Sequence, residues 1–239
     1  MKSVKFLVLA LVLVLIAAVV PASADDVLDH AAFIAAELDT PVCIDTYVQA
    51  NQSWWDGKLT VYAQSEDGAY FIYNMACATQ EDANALVPGT HILVKGYKAE
   101  WSGEVEIVDA TYEIVDDAKF FAPSEDLTAL MDSDELISHQ NEFFSVSGAT
   151  VVACNDAGDA FSYAWDGSGS HDANSDLYFN VEINGKTYSL TVESYLCNNE
   201  TPVYAAVEGL RVGDVINAEG FLYWYNGANP HITYIEAAN

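Results

Sequence analysis

From residue 40 onward, apolar and polar positions alternate through a series of short segments. VCIDTYVQA (42 to 50), KLTVYAQS (58 to 65), AYFIYNMAC (69 to 77), THILVKGYKAEW (90 to 101) and EVEIVDATYEIV (104 to 115) carry β-branched and aromatic residues at the period of a half-buried strand. Asp67-Gly68 and Ser102-Gly103 are tight-turn pairs between consecutive strands. Between the third and fourth strands, TQEDANALVPG (79 to 89) loses that period and stops at Pro88-Gly89, which predicts a short helix or turn. Five strands with a small helix between the third and fourth is the order of an OB-fold barrel.

The same order returns in FFSVSGATVVAC (143 to 154), LYFNVEI (177 to 183), TYSLTVESYLC (187 to 197), a connector (198 to 213), DVINAEGFLYWY (214 to 225) and HITYIEA (231 to 237). Gly89, Gly96 and Gly103 align with Gly213, Gly220 and Gly227, seven residues apart in each copy and offset by 124 (213 − 89). A register held at three glycines marks an internal repeat. Gly96 and Gly220 fall inside the fourth strands, where a missing side chain permits the bend that closes a small barrel. DDVLDHAAFIAAEL (25 to 38) and SEDLTALMDSDELISHQ (124 to 140) predict a helix ahead of each copy, and residues 116 to 124 form the expected joint. The expected fold is all-β with short helices: two tandem OB-fold-like five-stranded barrels over 25–118 and 119–239. YNMACATQEDANALVPGT and GYKAEWSGEVEI resemble stretches of exported bacterial proteins built of tandem OB-like repeats, and the resemblance spans most of residues 40 to 239. It implies the fold and no site residue.

The opening MKSVKFLVLALVLVLIAAVVPASA places Lys2 and Lys5 before an apolar run and ends on Ala22-Ser23-Ala24, the pattern of a secretory signal peptide over residues 1–24. A membrane anchor is the alternative; the run is short of the roughly 20 apolar residues a span requires. The expected location is secreted or extracytoplasmic, with no membrane association after cleavage. Removing this segment takes two of the 8 Lys and Arg and none of the 36 Asp and Glu, so the mature charge is 6 − 36 = −30. Nucleic-acid affinity leans on basic side chains neutralising phosphates. On that ground the sequence predicts no nucleic-acid partner, and like-charge repulsion disfavours anionic membranes.

Cys43, Cys77, Cys154 and Cys197 lie in a chain bound for an oxidising compartment, where disulfides are expected. Cys43 with Cys77 and Cys154 with Cys197 keeps each bridge inside its own repeat.

OB barrels bind ligands on the second and third strands, flanked by the loops joining strands one to two and four to five. Trp54, Trp55 and Trp101 fall in those loops of the first copy, and Trp165, Trp224 and Tyr225 in those of the second. Such rings stack on sugars, bases or protein anchors; the alternative is that they cap the barrel ends. In an extended segment, Trp54 and Trp55 point to opposite sides. The acidic loop 155 to 176, with Asp156, Asp159, Asp166, Asp172 and Asp176, lacks EF-hand spacing, so no metal and no cofactor is expected. The five histidines show no triad spacing, and Arg211 is the sole arginine available for phosphoryl chemistry. The sequence therefore predicts a monomeric, non-enzymatic binding module for an extracellular glycan or other uncharged ligand, with a protein-binding or inhibitory module, or a structural surface component, as the alternatives.

Overall fold

The computed structural model describes residues 26–115, 118–171 and 175–238. The expected signal peptide, residues 116 and 117 of the joint, and Asp172 of the acidic loop lie outside the described residues.

The first barrel is built from β2 (Pro41–Asn51), β3 (Lys58–Ser65), β4 (Gly68–Ala76), β5 (His91–Trp101) and β6 (Glu104–Ile114), with β1 (Val27–Leu28) added in parallel to β2. The order β2-β3-β4-β6-β5 closes through a β2–β5 ladder, and β4–β6 is the parallel pair. The second barrel uses β8 (Phe143–Val152), β10 (Leu177–Ile183), β11 (Lys186–Val192), β12 (Val215–Phe221) and β13 (His231–Ala237). It closes in the same order, β8-β10-β11-β13-β12, through β8–β10 and the parallel β11–β13 pair. β7 (Glu125–Asp126) and β9 (Phe161–Ser162) extend its edges. Two closed five-stranded barrels in tandem are thus the fold.

The glycine register has a steric cause. The β5–β6 ladder shifts between Lys95 and Tyr97, and the β12–β13 ladder shifts at Glu219/Gly220. A Cβ on Gly96 would stand 2.7 Å from the Ile107 side chain, and one on Gly220 only 2.1 Å from the His231 carbonyl oxygen. No other residue permits that approach.

Short helices cap the barrels, one within the helix or turn expected over 79–89 and one in the stretch read as a connector. α2 (Gln80–Ala85) starts on a Thr79/Asp82 capping box, and α3 (Pro202–Glu208) has proline in its first turn. The long helix expected over 25–38 is only α1 (His30–Ala35), and that expected over 124–140 is a 3-10 turn, Asp134–His139, preceded by β7. In both, the residues ahead of the helix add a short parallel strand to the barrel edge.

None of the four cysteines, all within the described residues, is joined in a disulfide. The expected Cys43–Cys77 pair is corrected because nearly the full length of β2 separates them: Cys43 lies at its start, whereas the Cys77 N–H donates to Gly57 in the loop beyond its end. The expected Cys154–Cys197 pair is corrected because the third strand stops at Val192. The chain then curls so that the Leu196 and Cys197 N–H groups both donate to the Glu193 carbonyl, turning Cys197 into the second core, while Cys154 stands in a loop turn with its N–H on Asp159.

Each barrel has its own core, and a third cluster lies between them: Tyr62 and Phe71 from β3 and β4 against Phe221 from β12. Tyr62 and Phe221 stack at 4.4 Å and 15°. Burying rings of this size contributes roughly 2 to 3 kcal/mol each.

Candidate functional site

The β3–β4 face of the first barrel is the surface on which an OB-fold takes its ligand, and here the second barrel closes over it. The result is a cleft of about 740 Å³. Its floor is Thr60, Phe71, Tyr73 and Asn74; its first-barrel rim carries Trp55, Lys58 and Trp101; its roof is Glu193, Tyr195, Tyr223 and His231 of the second barrel, with Glu106 on the floor beside β4.

The seam is hydrogen-bonded along its length. Ser53 N–H donates to the Tyr195 carbonyl (2.6 Å), Gln52 Nε2 to Glu193 Oε2 (2.7 Å) and Phe143 N–H to Gln64 Oε1 (2.8 Å). Trp224 N–H donates to Glu104 Oε2 (2.8 Å), and Gln140 Nε2 to the Gly103 carbonyl (2.8 Å). Asn226 N–H donates to the Ser102 carbonyl (2.6 Å). Ser102 and Asn226 are equivalent by the repeat offset of 124 (226 − 102), and both adopt the left-handed turn conformation, with φ of 53° and 54°. The two echoed turns dock on each other.

The sequence-predicted rings divide accordingly. Trp55 and Trp101 both line the cleft and remain 72% and 61% exposed, so their faces are open to a ligand. Trp54 turns inward, its Nε1–H donating to the Cys77 carbonyl and its ring packing on the first core. Trp224 packs partly against the second core and lies over Gly103, where a Cβ would come within 3.0 Å of the indole. Tyr225 and Trp165 are exposed outside the cleft lining, and Trp165 rides on the 155–176 loop. Three carboxylates of that loop are turned to a local donor: Asp159 to Asn155, Asp166 to Ser168, and Asp176 to Tyr178 and the Ser194 N–H.

The residues that sequence reasoning did not single out give the cleft its chemistry. Burial pushes the Glu193 carboxyl up to about 8, with Asp176 adding to the shift and the Gln52 amide opposing it. Burial also raises Glu106. His231 is held down to about 4 by burial and stacks on Tyr223 at 4.4 Å and 22°. Its Nδ1 lies within hydrogen-bond distance, 2.6 Å, of the Tyr62 hydroxyl, whose own pKa is raised by burial, so the contact joins a neutral imidazole to a neutral phenol. His231 and Glu193, 3.9 Å apart, are therefore both neutral near pH 7 and form no ion pair. No spacing in the sequence announces this group. Glu193 and His231 come from opposite ends of a long connection and meet only through the β11–β13 pairing, in which Thr191 faces His231.

No protein-family model matches the chain, and no curated protein matches it. Among solved structures, the tetrameric p202 HIN2 aligns with 85% of this chain and 96% of its own at 11% identity and a TM-score of 0.34. A murine DNA-binding protein bound to double-stranded DNA aligns with 82% of this chain and 95% of its own at 8% identity and a TM-score of 0.35. A replication protein A heterotrimer bound to single-stranded DNA aligns with 81% of this chain and 50% of its own at 14% identity and a TM-score of 0.30. At such scores the likeness assigns no role to any residue here. Two expectations are nevertheless corrected. Nucleic acid was excluded on net charge and an extracellular glycan placed first; the aligned structures include DNA complexes, and the exclusion is withdrawn. Net charge is a property of the whole chain, whereas bases can be held by stacking on individual rings. The glycan assignment falls as well, because the aromatic tips do not form two open platforms: one set lines a cleft with buried carboxyls, and Trp224 of the other serves the seam.

Proposed function

We propose that the protein binds a small organic cation, an ammonium or guanidinium compound with an apolar body, in the cleft between its barrels. The observation that carries this reading is the coincidence, in one cleft, of aromatic faces from both barrels with the carboxyls of Glu106 and Glu193. A cation over an aromatic face gains about 0.5 to 2 kcal/mol per ring, more as the site is dried. The ionised carboxylates supply the countercharge, and among the described residues Lys58 is the one lysine or arginine lining the cleft.

The raised carboxyls make a specific thermodynamic demand. Glu193 is protonated near neutral pH, so a bound cation must drive its proton off. Affinity for a permanently charged ligand then rises with pH, by up to about tenfold per unit below pH 8, and levels off above it. Isothermal titration of benzyltrimethylammonium and its uncharged carbon analogue into the mature protein, at pH 6 to 9 and in buffers of differing ionisation enthalpy, measures both affinity and proton release. The cation should bind, release a proton at pH 7, and weaken severalfold in Trp101→Ala and about tenfold or more in Glu193→Gln. Equal binding of the neutral analogue, or single-stranded oligonucleotide binding that depends on Trp101 while the cation does not bind, refutes the proposal.

A further inference from the structure

A second group of side chains lies apart from the cleft, where the chain enters the second barrel. Glu125 stands on β7, His139 ends the 3-10 turn, and Glu142 immediately precedes β8. His139 Nδ1 is 2.8 Å from Glu142 Oε2 and 3.9 Å from Glu125 Oε2, and one ligand atom from each of the three lies within 4.8 Å of the others.

We infer that Glu125, His139 and Glu142 form a binding site for a divalent transition-metal ion of the zinc type, held by one imidazole nitrogen and two carboxylate oxygens, with the remaining position open to water. Three protein ligands and an open position is a common zinc arrangement. With metal–ligand distances of about 2.0 to 2.2 Å, neighbouring tetrahedral ligand atoms sit roughly 3.4 Å apart. The observed separations straddle that value, so side-chain adjustments of about 1 Å complete the geometry.

The backbone holding these ligands is fixed. Glu142 N–H donates to the His139 carbonyl, the Glu142 carbonyl accepts from Leu222 N–H, and Asn141 N–H donates to the Leu222 carbonyl. Glu125 is registered against Phe144 by the β7–β8 ladder. His139 and Glu142 are mostly covered, at 21% and 17% side-chain exposure, so two of the three ligands are already drawn out of bulk water. Among the described residues no lysine or arginine forms a salt bridge with either glutamate. Two carboxylate ligands supply negative charge that a divalent ion balances. The imidazole selects against calcium and magnesium, which take oxygen ligands, and in favour of zinc and its neighbours.

The test uses the mature protein with zinc as the probe, titrated calorimetrically, and cobalt as a spectroscopic substitute. Because four thiols could also take zinc, His139→Ala and Glu142→Gln are compared with wild type, with far-ultraviolet circular dichroism confirming that each variant folds. One equivalent of zinc should bind, at least tenfold more weakly in either variant, and cobalt should give visible bands of nitrogen–oxygen coordination free of thiolate charge transfer. A large excess of calcium should not displace it. Zinc binding that is undiminished in both variants, cobalt spectra dominated by thiolate, or the absence of saturable binding by wild type overturns the inference.

Discussion

Glu104 offers the sharpest test of how the two barrels are joined. It is fully buried, with Oε1 2.5 Å from Asn141 Nδ2 and Oε2 accepting the Trp224 N–H at 2.8 Å. Burial pushes its carboxyl up to about 8, the hydrogen bonds from Asn141 and Trp224 oppose the shift, and Glu106 adds to it. A neutral carboxyl also accounts for Asn141: its Oδ1 is buried without a partner, and turning the amide over lets the carboxyl O–H donate to that oxygen. Because the folded pKa is raised from 4.5, the folded state holds a proton the unfolded chain has lost. Stability from this group is fully present below pH 4.5 and is lost as pH rises toward 8. At about 1.4 kcal/mol per unit, the loss between pH 5.5 and 8 is about 3 kcal/mol. Glu104→Gln keeps the shape and the acceptor for Trp224 but cannot ionise. Urea denaturation of both proteins from pH 5.5 to 9 should show their stability difference moving by about 3 kcal/mol in favour of the variant, then staying level. A difference that does not change with pH refutes the buried neutral carboxyl.

Two further pairs of substitutions test the aromatic turns and the barrel bends. Trp101→Ala should lower the melting temperature by only a few degrees, since the ring is 61% exposed, whereas Trp224→Ala should cost about 2 to 3 kcal/mol by opening both the second core and the contact over Gly103; thermal denaturation of the pair decides it, and equal losses contradict the division. Gly220→Ala should be the more damaging of the two barrel-bend substitutions, preventing soluble expression or costing more than about 3 kcal/mol, because its Cβ meets backbone at 2.1 Å while that of Gly96 first meets the Ile107 side chain, with the Val108 carbonyl at 2.8 Å. Denaturant midpoints of both variants measure the order.

Most of the fold was legible because barrel strands are written in local alternation and their bends in glycine. β3, β10 and β13 begin and end within a residue of the segments read from the pattern. The misreadings have tertiary causes. Residues 25–29 and 124–127 carry helix-compatible residues, yet Val27–Leu28 and Glu125–Asp126 find open strand edges to pair with, and an available edge outweighs weak propensity. TYSLTVESYLC reads as one strand through Cys197, but Glu193 accepts two backbone N–H groups and ends it early. That early end is also what removed the expected disulfide.

The site was legible only by halves, and the repeat explains which half. Trp55 and Trp101 were found because a single barrel already determines where its loops stand. Glu193, Tyr195, Tyr223 and His231 were not, because their importance depends on the second barrel lying across the β3–β4 face of the first, which no local pattern encodes. The echoed turns are one of the contacts that hold this arrangement. Ser102 and Asn226, equivalent in the repeat and alike in φ, are joined by a backbone hydrogen bond, and Trp224 lies over Gly103 beside them. Each barrel thus carries the same turn, and those turns meet where the second barrel lies across the β3–β4 face of the first. Once the face is covered, carboxyls on it are desolvated and rings from both copies look into the same space. An aromatic surface typical of an open barrel becomes one wall of an acid-bearing cleft without any change to the strands that build it.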